Sequence, residues 1–247
     1  TKLCALDDKN FNQNLSSFSA SQISNADRLQ PLLPEHPAYF IYTSGSSGQS
    51  KAVMGTHAAL LNRIQWVNCR VPWSENEVTL SRSSIAFVDA STECLAPLCL
   101  GRTVHLCSDQ EKNDPLAMID LMRRYKVFRV NLVPSLIPSW IDSIRHHSEG
   151  LHGNLIISGE YLSPALALDV SQCFSNCNIF NFYGMTETCG DSSFVQYKRF
   201  DAQSKEQTCD TIGDSISNTT LYILDTQLNA VCGQEIGEIY IAGKGLA

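Results

Sequence analysis

The chain has 247 residues, which at about 150 residues per domain allows one large domain or two small ones. Its 18 Lys and Arg residues against 25 Asp and Glu residues give a formal net charge of −7, which argues against nucleic acid or an anionic membrane surface as the main partner. Hydrophobic residues make up 43% of the chain and exclude a disordered polymer, yet the longest apolar runs, such as residues 95–100, are far shorter than the roughly 20 residues of a membrane span.

The predicted elements alternate between strands and helices. Residues 7–36 are polar and aperiodic, and we expect a linker there. A strand rich in aromatic and β-branched residues follows over 38–42, and Leu60, Ile64 and Val67 then fall at helical spacing. Further strands are predicted over 101–107, 127–133, 154–158 and 178–182, with intervening helices that begin near Pro115, Ser139 and Pro164.

This alternation predicts an α/β fold with a largely parallel sheet flanked by helices. Short strands over 220–224 and 238–242 indicate a β-rich C-terminal segment. We therefore predict a linker or irregular segment over residues 1–36, an α/β core over 37–215 and the start of a β-rich subdomain, cut short, over 216–247.

Ten cysteines are scattered through mostly apolar segments. Only Cys173 and Cys177 are spaced like a ligand pair, and no second pair lies at zinc-finger spacing. Their density is below that of small disulfide-bonded secreted domains, and the N-terminus does not resemble a signal peptide. We expect reduced thiols in a cytoplasmic protein, and the abrupt start and end of the sequence suggest a piece of a longer chain.

The loop over residues 43–51 combines five hydroxyls, two glycines and a lysine between the predicted strand and helix. Glycine lets the backbone approach a ligand, hydroxyls add donors and Lys51 adds positive charge, which together suit a polyphosphate. The spacing of Gly45, Gly48 and Lys51 differs from that of a Walker A loop. A solvated Ser/Gly turn explains the composition equally well.

A second motif, Asn-Phe-Tyr-Gly-Met-Thr-Glu over residues 181–187, follows directly on a predicted strand. Ligands of open α/β sheets bind at the carboxyl ends of strands. Tyr183 suits stacking on a flat base there, and the Glu187 carboxylate suits a hard cation such as Mg²⁺. Taken alone, an ordinary strand-to-helix turn capped by Thr186 is the simpler explanation.

Four motifs in order resemble the adenylate-forming superfamily, which includes acyl-CoA synthetases, luciferases and the adenylation domains of nonribosomal peptide synthetases. They are residues 42–51, 158–160 (Ser-Gly-Glu), 181–187 and 237–243. Ser50 and Ala52 depart from the family's loop, but at positions that supply no phosphate donor side chain. The family's ribose-binding Thr-Gly-Asp motif and C-terminal catalytic lysine are missing. The resemblance therefore implies an incomplete domain, which we expect to be inactive alone.

The resemblance implies an ATP-dependent ligase that converts a carboxylic acid to an acyl-adenylate and releases pyrophosphate. The acyl group would pass to phosphopantetheine on a carrier-protein domain elsewhere in the parent chain, and then to an amine. Three residues are implied to be catalytic: Lys51 neutralises the phosphates, Thr186 contacts the α-phosphate and Glu187 holds Mg²⁺. The residues implied to bind ATP are Thr43, Ser44, Gly45, Ser46, Ser47, Gly48, Lys51, Gly159, Glu160, Asn181, Tyr183, Gly184 and Thr186.

The resemblance also implies a substrate pocket lined by Val88, Asp89, Thr92, Ser135, Ile156, Ser158, Phe182, Gly190 and Asp191. Adenylation domains for α-amino acids usually place an Asp directly after a Phe, whereas here Val88 follows Phe87 and the Asp comes one residue later. This arrangement resembles that of domains that activate β-alanine, whose ammonium lies one carbon further from its carboxylate. Two carboxylates in one pocket demand a cation and disfavour a fatty acyl chain.

Three hypotheses stay open at this stage. The chain is a β-alanine-activating domain, or an acyl-CoA synthetase or adenylation domain for another small amino acid, or a non-catalytic nucleotide-binding relic. For Asp89 a purely structural role is also open, as the cap of a helix over residues 91–95. We expect no nucleic-acid and no membrane partner under any of the three.

Overall fold

The computed structural model of the protein describes residues 8–45, 48–197, 210–233 and 235–247. The described chain falls into two units, one that ends at Leu33 and one over Pro34–Ala247. The first unit contains helix α1 (Lys9–Leu15) and a 3-10 turn over Asn25–Asp27, and nearly all of its described residues are exposed.

The second unit begins with an antiparallel hairpin of β1 (Pro37–Thr43) and β2 (Lys51–Thr56). The prediction that the Ser/Gly-rich loop joins a strand to a helix is therefore wrong, because the loop lies at the tip of this hairpin. One cause of the error is that β2 contains a glycine whose role depends on another strand. Gly55 leaves room for the Tyr39 ring, and a Cβ at residue 55 would lie 2.0 Å from that ring.

A seven-stranded sheet forms the centre of the second unit. In spatial order its strands are β4 (Thr103–Leu106), β3 (Val78–Ser81), β5 (Val127–Leu132), β6 (His152–Ser158), β7 (Asn178–Tyr183), β8 (Ser193–Tyr197) and β9 (Asp214–Ser215). The first five run parallel, whereas β8 and β9 are each antiparallel to their neighbours. The predicted largely parallel sheet is confirmed.

Helices cover both faces of this sheet. They are α2 (His57–Arg70), α3 (Val88–Cys99), α5 (Pro115–Tyr125), α6 (Ile137–His147) and α7 (Pro164–Cys173), while the short α4 (Asp109–Asn113) before α5 has no buried residue. Strand side chains alternate between two buried clusters, so that Leu155 packs in one and its neighbour Ile156 in the other. The first cluster includes Met118 of α5, and the second includes Trp66 of α2.

The C-terminal segment is a separate antiparallel pair of β10 (Thr219–Leu224) and β11 (Glu238–Gly243), in agreement with the predicted β-rich segment. Among the described residues, none of the helices combines the length and the hydrophobicity of a membrane span. The eight cysteines in those ranges are free thiols, and no cluster of metal-binding side chains is found among the described residues.

Candidate active site

A cavity of about 630 Å³ lies where the parallel strands end, which is the edge at which α/β sheets bind ligands. Its walls come from the end of β1, the loop after β3, the start of α3 and the loops that follow β6 and β7. Segments far apart in the sequence therefore meet at one place. The predicted site residues in these walls are Thr43, Val88, Asp89, Ser158, Gly159, Glu160, Phe182, Gly184, Thr186, Glu187, Gly190 and Asp191.

An adjoining cavity of about 390 Å³ is lined by five of the residues implied to bind ATP, which are Gly159, Glu160, Asn181, Tyr183 and Gly184. Gly159 and Glu160 contribute to it from the end of β6, and Asn181 and Tyr183 contribute from β7. Both glycine-containing turns that follow these strands also line the larger cavity. The two spaces therefore share a boundary at the strand ends.

The phosphate loop is only partly described, because the predicted ligands Ser46 and Ser47 lie outside the described residues. Thr43 pairs with Lys51 where the loop begins and ends, and among the described residues of this loop only Thr43 is in the wall of the larger cavity. Ser44, Gly45, Gly48 and Lys51 lie at or beside the hairpin tip. Gly45 has a φ of +46°, and a Cβ there would lie 2.1 Å from the Gln49 carbonyl oxygen, so the turn requires glycine.

Ser135 has a different environment from the one predicted. Its backbone N–H and its hydroxyl both donate to the Glu160 carboxylate, at 2.8 Å each. These bonds tie the loop after β5 to the loop after β6, and Ser135 lines neither cavity described above. Its hydroxyl therefore positions Glu160, and the structure does not show it in a substrate pocket.

The turn after β7 brings Asp191 back beside the strand end. The Gly190 N–H donates to the Met185 carbonyl oxygen at 2.9 Å, and Gly190 has a φ of +97°. A Cβ at Gly184 would lie 1.5 Å from the Gly190 carbonyl oxygen, so the two glycines allow the backbone to cross itself closely. Thr186 and Glu187 lie within this turn, in a 3-10 segment over Thr186–Thr188.

The two pocket carboxylates have an internal cation that the sequence analysis missed. Arg63 of α2 contacts Asp89 (Nη2 to Oδ1, 2.6 Å) and Asp191 (Nε to Oδ2, 2.6 Å). The side chains of Arg63 and Asp191 are each 4% exposed, whereas that of Asp89 is 24% exposed. A signal was present in the sequence, because Arg63 shares the apolar stripe of α2 with Leu60 and Val67, where a charge needs a buried partner.

The charges of this cluster depend on one another. Burial raises the pKa of Asp191 to about 6, although Arg63 opposes that rise. Burial disfavours the charge of Arg63, but Asp191 and Asp89 together hold its pKa above the ordinary value. Asp89 is not a helix cap, because α3 begins at Val88 and Asp89 lies inside its first turn.

A small cavity of about 30 Å³ lies on the inner side of this cluster, and Arg63 and Asp191 form part of its wall. The predicted pocket residues Thr92, Ile156 and Phe182 also line it. Its volume suits one or two water molecules and excludes a bulky side chain. The predicted substrate residues are thus divided between a large outer cavity and a small inner one.

A further residue missed by the sequence analysis, Glu93, fixes the loop between β3 and α3. Its carboxylate accepts hydrogen bonds from the backbone N–H groups of Arg82 and Ser83 and from the Ser83 hydroxyl, at 2.6–2.9 Å. Burial raises the pKa of Glu93, and these three donors oppose that rise. The loop it holds lines the larger cavity and leads directly to Asp89.

Three of the four motifs line a cavity at the carboxyl ends of a parallel sheet, whereas the fourth, over residues 237–243, forms β11; this arrangement is typical of nucleotide-binding α/β domains. The sequence pattern of the AMP-binding enzyme family matches residues 2–247, and the chain belongs to that family. The resemblance predicted from its motifs is confirmed.

Two curated relatives are nonribosomal peptide synthetases or related synthases. The chain is 34% identical over 227 residues to the β-alanyl-bioamine nonribosomal peptide synthetase ebony of Drosophila melanogaster, which covers 86% of this chain and 25% of that protein. It is 36% identical over 220 residues to the indigoidine synthase of Dickeya dadantii, with coverage of 87% and 14%. The chain therefore spans a quarter or less of the length of these relatives.

Solved structures share the fold. The Klebsiella oxytoca NpsA N-terminal subdomain in complex with 3-hydroxyanthranilyl-AMSN superimposes with a TM-score of 0.76 at 22% identity, covering 96% of this chain and 59% of that one. The four-domain nonribosomal peptide synthetase holo-AB3403, bound to AMP and glycine, gives a TM-score of 0.72 at 28% identity, with coverage of 85% and 15%.

Proposed function

We propose that this chain is an adenylation domain that activates β-alanine with ATP as an acyl-adenylate and releases pyrophosphate. The observation that carries the proposal is the acidic cluster in the wall of the larger cavity. Asp89 and Asp191 bring two negative charges and Arg63 one positive charge, so the cluster keeps a formal charge of −1. A substrate tail with one ammonium group would neutralise it.

ATP fits the two adjoining cavities. The smaller of the two offers the Tyr183 ring and the polar side chain of Asn181 to a base, and the larger one offers the Thr43 and Thr186 hydroxyls to phosphates. We infer that Lys51, at the hairpin tip, adds the positive charge that pyrophosphate needs as it leaves. Such a site works by positioning its reactants and stabilising phosphate charge.

A magnesium ion fits the same wall, because Glu187 brings a carboxylate, the ligand type that Mg²⁺ prefers, to the cavity that Thr43 and Thr186 share. When bound, Mg²⁺ would supply charge neutralisation on the phosphates. Glu187 would hold this ion beside the turn that also contains Thr186.

The shape of the substrate space favours a short acid. Phe182 and Asp191 border both the larger cavity and the small inner one, so a tail that extends past them meets a space of only about 30 Å³. A fatty acyl chain would have to displace the buried Arg63–Asp191 ion pair, which is costly. The acyl-CoA synthetase alternative is therefore disfavoured, while an adenylation domain for another small amino acid is the second candidate.

We further propose that the acyl group passes to phosphopantetheine on a carrier-protein domain and from there to an amine. This part rests on the relatives, since the Drosophila protein is named for a β-alanyl group and a bioamine. None of the described residues is assigned to the transfer step.

The test is ATP–pyrophosphate exchange with the full-length protein on β-alanine, L-alanine and propionate. We expect β-alanine to be preferred. Asp89→Asn should raise the KM for β-alanine about tenfold to a hundredfold, because a charge-assisted hydrogen bond contributes about 1.5–3 kcal/mol, and it should leave the KM for ATP nearly unchanged.

Asp120→Asn is the matched control, because Asp120 is an exposed residue of α5 whose side chain is 73% accessible. It should change neither KM. A wild-type preference for propionate, or an equal rise of both KM values in Asp89→Asn, would show that the assignment is wrong.

A further inference from the structure

We propose that Arg63 sets the charge of the substrate subsite by cancelling one of its two carboxylates, so that the subsite accepts a tail with a single positive charge. This inference rests on the proposed function, because it explains how the proposed substrate site selects a tail by its charge. It gives a specificity role to a residue of α2 that lies outside every sequence motif described above.

The geometry separates the roles of the two carboxylates. Asp89 and Asp191 both line the larger cavity, but Asp191 is as deeply buried as Arg63, whereas the side chain of Asp89 is 24% exposed. Arg63 uses Nε for Asp191 and Nη2 for Asp89, so that one rigid guanidinium orients both acids. Asp89 is therefore the more accessible of the two to a substrate ammonium.

The guanidinium itself is confined. Its Nη1 is buried and has no hydrogen-bond partner among the described residues. It lies against Gly190, where an added Cβ would be 2.4 Å from Nη1. The guanidinium is therefore held in one position, from which its charge acts on Asp89 and Asp191 at short range.

Glu93 and Arg82 are two further charged groups near the cluster, and the Glu93 and Asp89 carboxylates act on each other. Glu93 is held by the loop of residues 82–83, and the positive charge of Arg82 acts on it. Because both residues are unchanged in every variant below, they contribute equally to the charge of the subsite in the wild type and in each variant.

If Arg63 sets the net charge of the subsite, variants of the cluster should change substrate preference in a way that a purely structural ion pair would not explain. Asp191→Asn leaves Arg63 and Asp89 with a net charge of zero, so preference for an ammonium tail should fall. Adding Arg63→Met to Asp191→Asn returns the subsite to −1, carried by the partly exposed Asp89. The double variant should therefore regain the preference that the single variant lost.

The experiment measures kcat/KM for β-alanine relative to propionate by pyrophosphate exchange in the full-length protein. Asp191→Asn should lower this ratio at least tenfold, and Arg63→Met/Asp191→Asn should restore it to within about threefold of wild type. Arg63→Lys/Asp191→Asn keeps the positive charge and should stay as low as Asp191→Asn.

Circular dichroism melting of each variant shows whether it folds. If Arg63→Met prevents folding, Arg63→Gln/Asp191→Asn replaces it as the neutral variant, with the same expected recovery. If the wild type prefers β-alanine, two results overturn the inference about Arg63 alone. Either the neutral double variant does not regain this preference, or the lysine variant regains it equally. A wild type that prefers propionate overturns the proposed function, and this inference with it.

Discussion

Replacing Arg129 with Met should destabilise the second unit more than any exposed charge change. Arg129 of β5 donates from Nε to Glu77 at 2.6 Å, and both side chains are 2% exposed. Its Nη2 donates to the Val71 carbonyl oxygen at 2.6 Å, and its guanidinium carbon lies 3.7 Å from the centre of the Trp73 ring. One side chain thus joins the sheet to the segment after α2.

The magnitude follows from the burial of this pair. Removing one partner leaves the other charge uncompensated, which costs about 3–5 kcal/mol. The lost cation–π contact adds about 2 kcal/mol where it is shielded from water. Natural domains are stable by only about 5–15 kcal/mol, so the variant should lose a large share of its stability. Burial lowers the pKa of Arg129, and the neighbouring Glu77 carboxylate opposes that fall.

Urea unfolding followed by circular dichroism measures this free energy. Arg123→Met is the control, because Arg123 is half-exposed; it pairs with Asp120 at 3.8 Å and donates to the His147 carbonyl oxygen, and its loss should cost only about 1 kcal/mol. The double variant Glu77→Gln/Arg129→Met removes the stranded charge and should be more stable than Arg129→Met. The reasoning is refuted if Arg129→Met unfolds no earlier than Arg123→Met, or if the double variant is the less stable one.

Three further predictions concern the site. Lys51→Ala and Glu187→Ala should both lower pyrophosphate exchange at least tenfold, but high Mg²⁺ should partly rescue only Glu187→Ala; equal rescue in a Mg²⁺ titration would mean that their roles are misassigned. Gly184→Ala should lower kcat/KM for ATP at least tenfold, since its Cβ would lie 1.5 Å from the Gly190 carbonyl oxygen; unchanged ATP kinetics would contradict the close crossing. Because Asp191 is charged above its pKa of about 6 and neutral below it, the KM for β-alanine should rise as the pH falls from 7 to 5; the same pH profile in Asp191→Asn would argue against this origin.

Much of the fold could be predicted because local signals were strong. The helices predicted to begin near Pro115 and Pro164 do begin there, and the preceding Asp114 and Ser163 cap them with side-chain oxygens that accept from the Leu116 and Leu166 N–H groups. Strand β3 was missed, although all four of its residues are buried, because four residues give no measurable alternation. Strand β2 was missed because the Tyr39 ring that packs on Gly55 comes from another strand.

For the site, too, the local motifs could be predicted from the sequence, whereas contacts between distant residues could not. The motifs at the ends of β6 and β7 contain the glycines of their turns, so that each motif is visible in the sequence by itself. The structure brings the two motifs together in one cavity. The Arg63 ion pairs join residues 26 and 128 positions apart, and a sequence without its fold does not specify such a contact. For the same reason, the partner of Ser135 could not be anticipated, since Glu160 reaches it from the loop after the next strand.

The most direct test of the central claim offers the full-length protein equal concentrations of β-alanine, L-alanine and propionate together with ATP. Hydroxylamine traps each activated acyl group as a hydroxamate, and mass spectrometry compares the three products in one reaction. The account predicts that the β-alanyl hydroxamate exceeds each of the others at least tenfold, and that Asp89→Asn removes this excess. A dominant propionyl or L-alanyl hydroxamate in the wild type would contradict it.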